Sequence, residues 1–262
     1  MRAFAFVSAI SLALAGSAEA APRRVASLNL CTDELLLLLG APSQIASVTH
    51  LARNPAETPL WRHARRYPSN DGSLMSVAAL RPDLVLTMGG GARDRVRIAA
   101  RLGIRTLDLP FPQSLADIER GIADVAAALG RPRAAVPALR RIAGLRQTAP
   151  RTGIDSIWLG GGGRSVAATG LAAEWMALAG LRQRPLTGDR VSLEQLLTRP
   201  PAVLLRSDYR SGQYSGEQRW LAHPLAKGTR RSRTLATDGR LRPCMGPPLA
   251  RDAVRLRAAA AR

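Results

Sequence analysis

The sequence predicts an α/β protein of two lobes, each a mostly parallel sheet flanked by helices, joined by one long helix. Three observations lead there. Short runs of Val, Ile and Leu alternate with longer stretches of helical periodicity, the pattern of a parallel sheet covered on both faces. That alternation runs once before position 130 and starts again after position 150. Between the two series lies RPRAAVPALRRIAGLRQT at 131–148, where Val136, Leu139, Ile142 and Leu145 recur every three residues and Arg133, Arg140, Arg141 and Arg146 fill much of the rest. The expected organisation is a leader at 1–20, a first lobe at 21–130, a linking helix at 131–149 and a second lobe at 150–262.

Residues before 21 carry one early Arg2, an apolar run and a small-residue end at Ala18-Glu19-Ala20, the layout of a secretory signal peptide with an A-x-A cleavage site. The run is too short to span a bilayer, so the mature chain is expected in solution outside the cytoplasm. In the first series the strands are 24–28, 45–48, 83–87 and 104–108, and the helices 34–39, 73–80, 92–102 and 114–129. Thr32 or Asp33 is expected to cap the first of these helices and Gly40 to stop it. The stretch 49–70, rich in Arg, Pro and His, is expected to be irregular. In the second series the strands are 154–159, 202–205 and 234–236, with helices at 171–179, 192–197, 216–221 and 247–260.

The formal charge of +19 comes almost wholly from Arg. A nucleic-acid binder is the obvious competitor, but the arginines are spread along the chain, and three Phe and three Tyr are few for stacking on bases. Whether the charge is functional or compositional stays open. The glycine runs at 89–91 and 160–163 follow strands, yet neither has the G-x-G-x-x-G or Lys-Ser/Thr context of a nucleotide site. No G-x-S-x-G occurs, and His50, His63 and His223 have no zinc-ligand spacing, so the chain is not read as an enzyme or a metal centre. What remains is the geometry of parallel sheets, which bind ligands beyond the carboxyl ends of their strands. Those ends carry Asn29, Cys31, Thr49, His50, Met88, Arg164, Arg206, Asp208, Tyr209, Arg240 and Arg242. Arginine dominates the second lobe's share, which favours an anionic ligand through forked hydrogen bonds.

Read as a set, RRVASLNLCTDELLLLLGAPSQIASVT at 23–49, SLMSVAALRPDLVLT at 73–87, LGIRTLDLP at 102–110, LAAEWMALAG at 171–180 and SLEQLLTRPPAVLL at 192–205 resemble the periplasmic substrate-binding proteins of ABC importers for iron-siderophore complexes and cobalamin. In that class one backbone helix joins the lobes. The resemblance implies a monomer in the periplasm that holds a metal chelate in a shallow cleft, needs no cofactor, closes little, and delivers its cargo to an ABC importer permease. The chelate expected is a ferric siderophore, with cobalamin, another corrinoid or heme as alternatives. Its ligand contacts are expected among Asn29, Cys31, His50, Met88, Arg164, Arg206, Tyr209, Arg240 and Arg242. The resemblance further implies one permease-docking carboxylate on each lobe, matched here by Asp94 in GGGARDRV and Glu217 in SGEQRW. Cobalamin-binding relatives carry tryptophans around the cleft; here Met88 and Gly239 stand at such positions, and Trp158 and Trp175 look buried. The cysteines Cys31 and Cys244, one at a strand exit of each lobe, are either a disulfide, as an oxidising compartment favours, or two separate thiols.

Overall fold

The computed structural model describes residues 20–89, 93–207 and 215–262, with backbone only at 93–95. The signal-peptide reading at 1–20 falls almost wholly outside these residues. The chain runs through β1 (Val25–Ser27), α1 (Leu30–Leu39), β2 (Ile45–Thr49), α2 (Trp61–Ala64), β3 (Ser69–Asn70), α3 (Leu74–Ala78), β4 (Leu84–Met88), α4 (Arg93–Arg101), β5 (Arg105–Leu109) and α5 (Leu115–Ala128). These strands form a five-stranded parallel sheet in the order β3-β2-β1-β4-β5. After α6 (Val136–Gln147) come β6 (Ile154–Leu159), α7 (Leu171–Leu178), β7 (Leu181–Gln183), α8 (Leu193–Thr198), β8 (Val203–Ser207), α9 (Gly216–Ala222), α10 (Pro224–Lys227), β9 (Arg233–Thr237) and α11 (Leu249–Ala260). The second sheet is four-stranded and parallel, in the order β7-β6-β8-β9. Strand order reverses between β1 and β4 in one sheet and between β6 and β8 in the other, and each reversal opens a crevice at the strand exits.

Burial explains why these runs became strands. The first four residues of β4 are buried, as are the last four of β6, which is what a sheet with helices on both faces demands. One face of the first sheet packs Ala26, Val85 and Ile104 against Val77 of α3 and Ala99 of α4. One face of the second packs Ile157 and Leu204 against Leu196, Leu221 and Ala226 from α8, α9 and α10. The other faces share a single core. Leu36, Leu86 and Ile122 of the first lobe continue through Ile142 and Leu145 of α6 to Trp158, Leu181, Leu205 and Leu256 of the second. The two lobes therefore meet on a common hydrophobic interior that holds their strand exits in fixed relation.

Three local expectations are corrected. α1 starts three residues earlier than its apparent cap: Asn29 is the N-cap, its side chain accepting from the Cys31 amide at 2.8 Å. Thr32 and Asp33 are fully buried within the helix, Asp33 accepting from Thr49. The stretch 49–70 contains a 3-10 turn at Leu51–Arg53, α2 and β3, elements too short to show a period. The linking helix begins as a 3-10 turn at Pro132–Ala135 before becoming α6. A spacing of three falls about 60° short of a turn at each step, so its apolar row winds around the helix. Ile142 and Leu145 are buried, while Val136 is 37% exposed.

Candidate functional site

On the first sheet's rim, the exit of β1 bends at Asn29 into α1, which fixes Cys31 in the first helical turn. His50 follows β2; its ring is exposed, with Nδ1 3.3 Å from the carbonyl oxygen of Asn70. Met88 ends β4 half-buried and lines a recess with Cys31, Leu109, Ile118, Gly246 and Pro247, enclosing about 530 Å³ of space partly open to solvent. Gly89 beyond it has φ +110°, and the Phe111 ring lies where a β-carbon would stand, so only glycine fits this exit.

Behind that rim lie two buried carboxyls. Asp33 accepts from the Thr49 amide at 3.1 Å and the Thr49 hydroxyl at 2.5 Å. Burial outweighs those bonds and raises its pKa to about 7. Glu34 accepts from the Thr58 hydroxyl at 2.7 Å, and burial, with the charges of Asp33 and Asp238, likewise raises it to about 7. Its other oxygen faces Gly246 of the second lobe.

The second sheet's rim is cationic. The tight turn at Gly161–Gly163 follows β6 and packs against Glu217, so this loop and the start of α9 form one unit. Arg164 is exposed and pairs with Glu217 at 3.1 Å. The Arg242 guanidinium lies over Gly160, where a side chain would collide with it, and donates to the Ser165 carbonyl at 3.0 Å. Burial, together with the neighbouring Arg164, lowers its pKa from the usual guanidinium value. The two cations thus converge on one strand exit.

The other predicted arginines are engaged differently. Arg206 is within β8 and donates to the Leu221 carbonyl at 3.3 Å, bracing α9. Arg240 forms a two-pronged pair with Asp238, at 2.9 and 2.7 Å, and donates to the Pro55 carbonyl of the first lobe at 3.0 Å. Tyr209 and Asp208 lie outside the described residues. The Asp94 backbone is in α4, and its side chain is outside them. Cys31 and Cys244 are joined in a disulfide with Cα atoms 5.1 Å apart, so neither offers a thiol. A further tie between lobes runs from the Leu115 amide to Glu174 at 2.7 Å.

Sequence reasoning missed Glu34 and Asp33. Their signal was available: two acids inside a Leu-rich helix must be either paired or neutral. The four tryptophans all have structural partners. Trp158 and Trp175 are buried, Trp220 packs on Gly163, and Trp61 stacks against Arg62 and Arg65. Among the described residues no cluster of three or more His, Cys, Asp or Glu is arranged to hold a metal.

Residues 25–148 match a family model described as periplasmic binding protein. No curated protein matches the chain significantly. Solved structures do. A periplasmic heme-binding protein from Pseudomonas aeruginosa is 22% identical with a TM-score of 0.63, covering 91% of this chain and 92% of its own. The heme-binding protein RhuT from Roseiflexus sp. RS-1 is 24% identical with a TM-score of 0.63, covering 90% and 97%. The vitamin B12-binding protein BtuF of Vibrio cholerae is 19% identical with a TM-score of 0.62, covering 92% and 98%. The family model covers residues 25–148, the first lobe and α6, and across the whole described chain the solved structures share the fold. Among the described residues no helix is long and apolar enough to cross a membrane.

Proposed function

We propose that this chain captures an anionic iron chelate between its two sets of strand exits, in the periplasm, and delivers it to an ABC importer permease. Lobes at 21–130 and 150–262 would provide the two walls and 131–149 the link between them. The observation that carries the reading is the convergence of Arg164 and Arg242 at the exit of β6, where the only described carboxylate ion-paired with either is the exposed Glu217. Guanidinium groups bind carboxylates and phenolates in forked pairs, and ferric siderophores and heme both present such groups. Opposite them Asn29, Met88 and His50 form a partly apolar wall suited to the body of a chelate. Asp94 and Glu217, one on each lobe, are the proposed docking carboxylates.

A specific observation favours testing heme first. With His50 Nδ1 directed at the Asn70 carbonyl, Nε2 is left for a metal, and solved relatives of this fold are described as heme-binding. A corrinoid is disfavoured because each tryptophan already has a structural partner. The test titrates purified protein with hemin, with an anionic ferric catecholate and with cyanocobalamin, following tryptophan fluorescence and the heme absorption band. Saturable 1:1 binding of an anionic chelate, weakened in R164A/R242A, is expected. In the heme case H50A shifts the absorption band more than the affinity. Tight cobalamin binding without response to either anionic chelate would overturn the proposal.

A further inference from the structure

A large groove adjoins the Met88 recess, sharing Pro247 with it, but none of the strand-exit residues proposed above lines it. It runs between the end of α1, the first half of α6 and the first half of α11, and encloses about 1510 Å³ open to solvent. Its floor is apolar: Leu38, Leu60, Pro137, Leu241, Pro247 and Pro248. Leu38 is 44% exposed there, although its neighbours Leu37 and Leu39 are buried in the core.

The charges at its edge are unbalanced. Two carboxylates border the groove, and both are neutralised. Asp238 is held by Arg240 at 2.7 Å, and Asp252 by Arg255 at 2.6 Å with the Thr237 hydroxyl at 2.5 Å. Arg141 of α6 and Arg251 of α11 face the same groove and are exposed, and their side chains make no ion pair or hydrogen bond with any described residue. α6 itself, VPALRRIAGLRQ, contains no acid that could answer them. A cation is therefore repelled, and a second copy of a chain of charge +19 is a poor occupant. A nucleic acid would leave the apolar floor unused and would find no aromatic ring among the lining residues to stack on.

We infer that this groove binds a single-chain amphipathic anion, of the fatty-acid class, with its aliphatic tail along the Leu38–Pro137–Pro248 floor and its head group between Arg141 and Arg251. Both halves of the ligand are specified by the lining of the groove. The floor removes methylenes from water, and two unpartnered guanidinium groups donate charge-assisted hydrogen bonds to a carboxylate. The site uses none of the residues proposed to hold the chelate.

The test uses octanoate, decanoate and dodecanoate below their micellar concentrations, titrated calorimetrically into the full chain, with dodecyltrimethylammonium and dodecyl maltoside as controls. Binding should be 1:1 and strengthen about fourfold for each methylene that enters the groove. R141E/R251E, two exposed substitutions, should weaken dodecanoate at least about tenfold with an unchanged circular dichroism melt. A138W, which fills the floor without altering charge, should abolish binding. Four results would each overturn the inference: no binding of any fatty acid, equal binding of the cationic detergent, dodecanoate affinity unchanged in both variants, or association only with anionic phosphatidylglycerol vesicles and not with monomeric fatty acid. If A138W folds poorly, the charge-reversal pair alone decides.

Discussion

Asp33 and Glu34, at the foot of the first sheet's rim, are 0% and 2% exposed, while Arg164, on the second sheet's rim, keeps 62% of its side-chain surface in water. Both regions sit at the same structural address, the carboxyl ends of parallel strands beside a reversal of strand order. The difference teaches how one architecture sets the sign of a cleft. Burial raises both carboxyls to about 7, so below that pH these two groups do not offset the positive rim opposite. The arginines remain charged throughout, because even a half-buried guanidinium holds its proton.

The most disruptive way to break this comparison is to separate the two regions. C31S/C244S removes the tie between α1 and the loop before α11, which spans 213 positions. Loss of about 3–5 kcal/mol in unfolding free energy is expected, since the crosslink closes a long loop in the unfolded chain. Urea denaturation with and without reductant measures it, and reductant should lower the midpoint of the parent chain but not that of the variant.

Next comes the charge state of the buried acids. A carboxyl whose folded pKa lies above its unfolded value costs stability as pH rises. The contribution is neutral below the unfolded value of about 4, declines between there and about 7, and is level above. The parent should therefore lose stability from pH 4.5 to 7, and E34Q should remove about 2–3 kcal/mol of that loss while keeping the acceptor that Thr58 uses. Thermal melts across that range check the sign. A parent curve that rises with pH would contradict the burial argument. Ionising Glu34 also places a negative charge near the cleft floor, so affinity for an anionic chelate should fall as pH passes 7.

The second region is sharpened by R164A/R242A, which should cost an anionic chelate about 10- to 100-fold in affinity. N29A and M88A on the opposite wall should each cost less than about tenfold. Equilibrium fluorescence titration distinguishes the two walls. The smallest effect belongs to the exposed Arg164–Glu217 pair. E217Q should change stability by no more than about 1 kcal/mol, measurable by denaturation, because water screens both partners.

How much of this was legible in the sequence follows the same division. The apolar runs around β1, β4, β6 and β8 announced themselves, because a central strand covered on both faces is mostly apolar. β3 and β7 did not. They have two and three residues, lie at sheet edges, and carry no period to read. The second rim's arginines were visible as residues, but their division of labour was not. Arg240 is held by Asp238 two positions earlier and by a carbonyl 185 positions away. The first was readable as a local acid–base pair, whereas the second exists only once the lobes have met. The buried acids of α1 were misread as a helix start because a polar residue before a Leu run looks like a cap, and its burial depends on Thr49 and Thr58 arriving from elsewhere.

The disulfide also imposes a timetable. Cys31 belongs to α1, the first of the described helices, and Cys244 to the loop before the last of them, so a chain emerging from its N-terminus presents one thiol long before the other. Until the C-terminal loop follows, Cys31 has no intramolecular partner and is open to glutathione or to the thiol of another emerging chain. Completion of the bond therefore marks completion of the molecule. Protein produced in a reducing cytoplasm will carry both sheets and the same core without that final mark, and should be recovered as a mixture whose thiol content, rather than its helix content, reports how far maturation went.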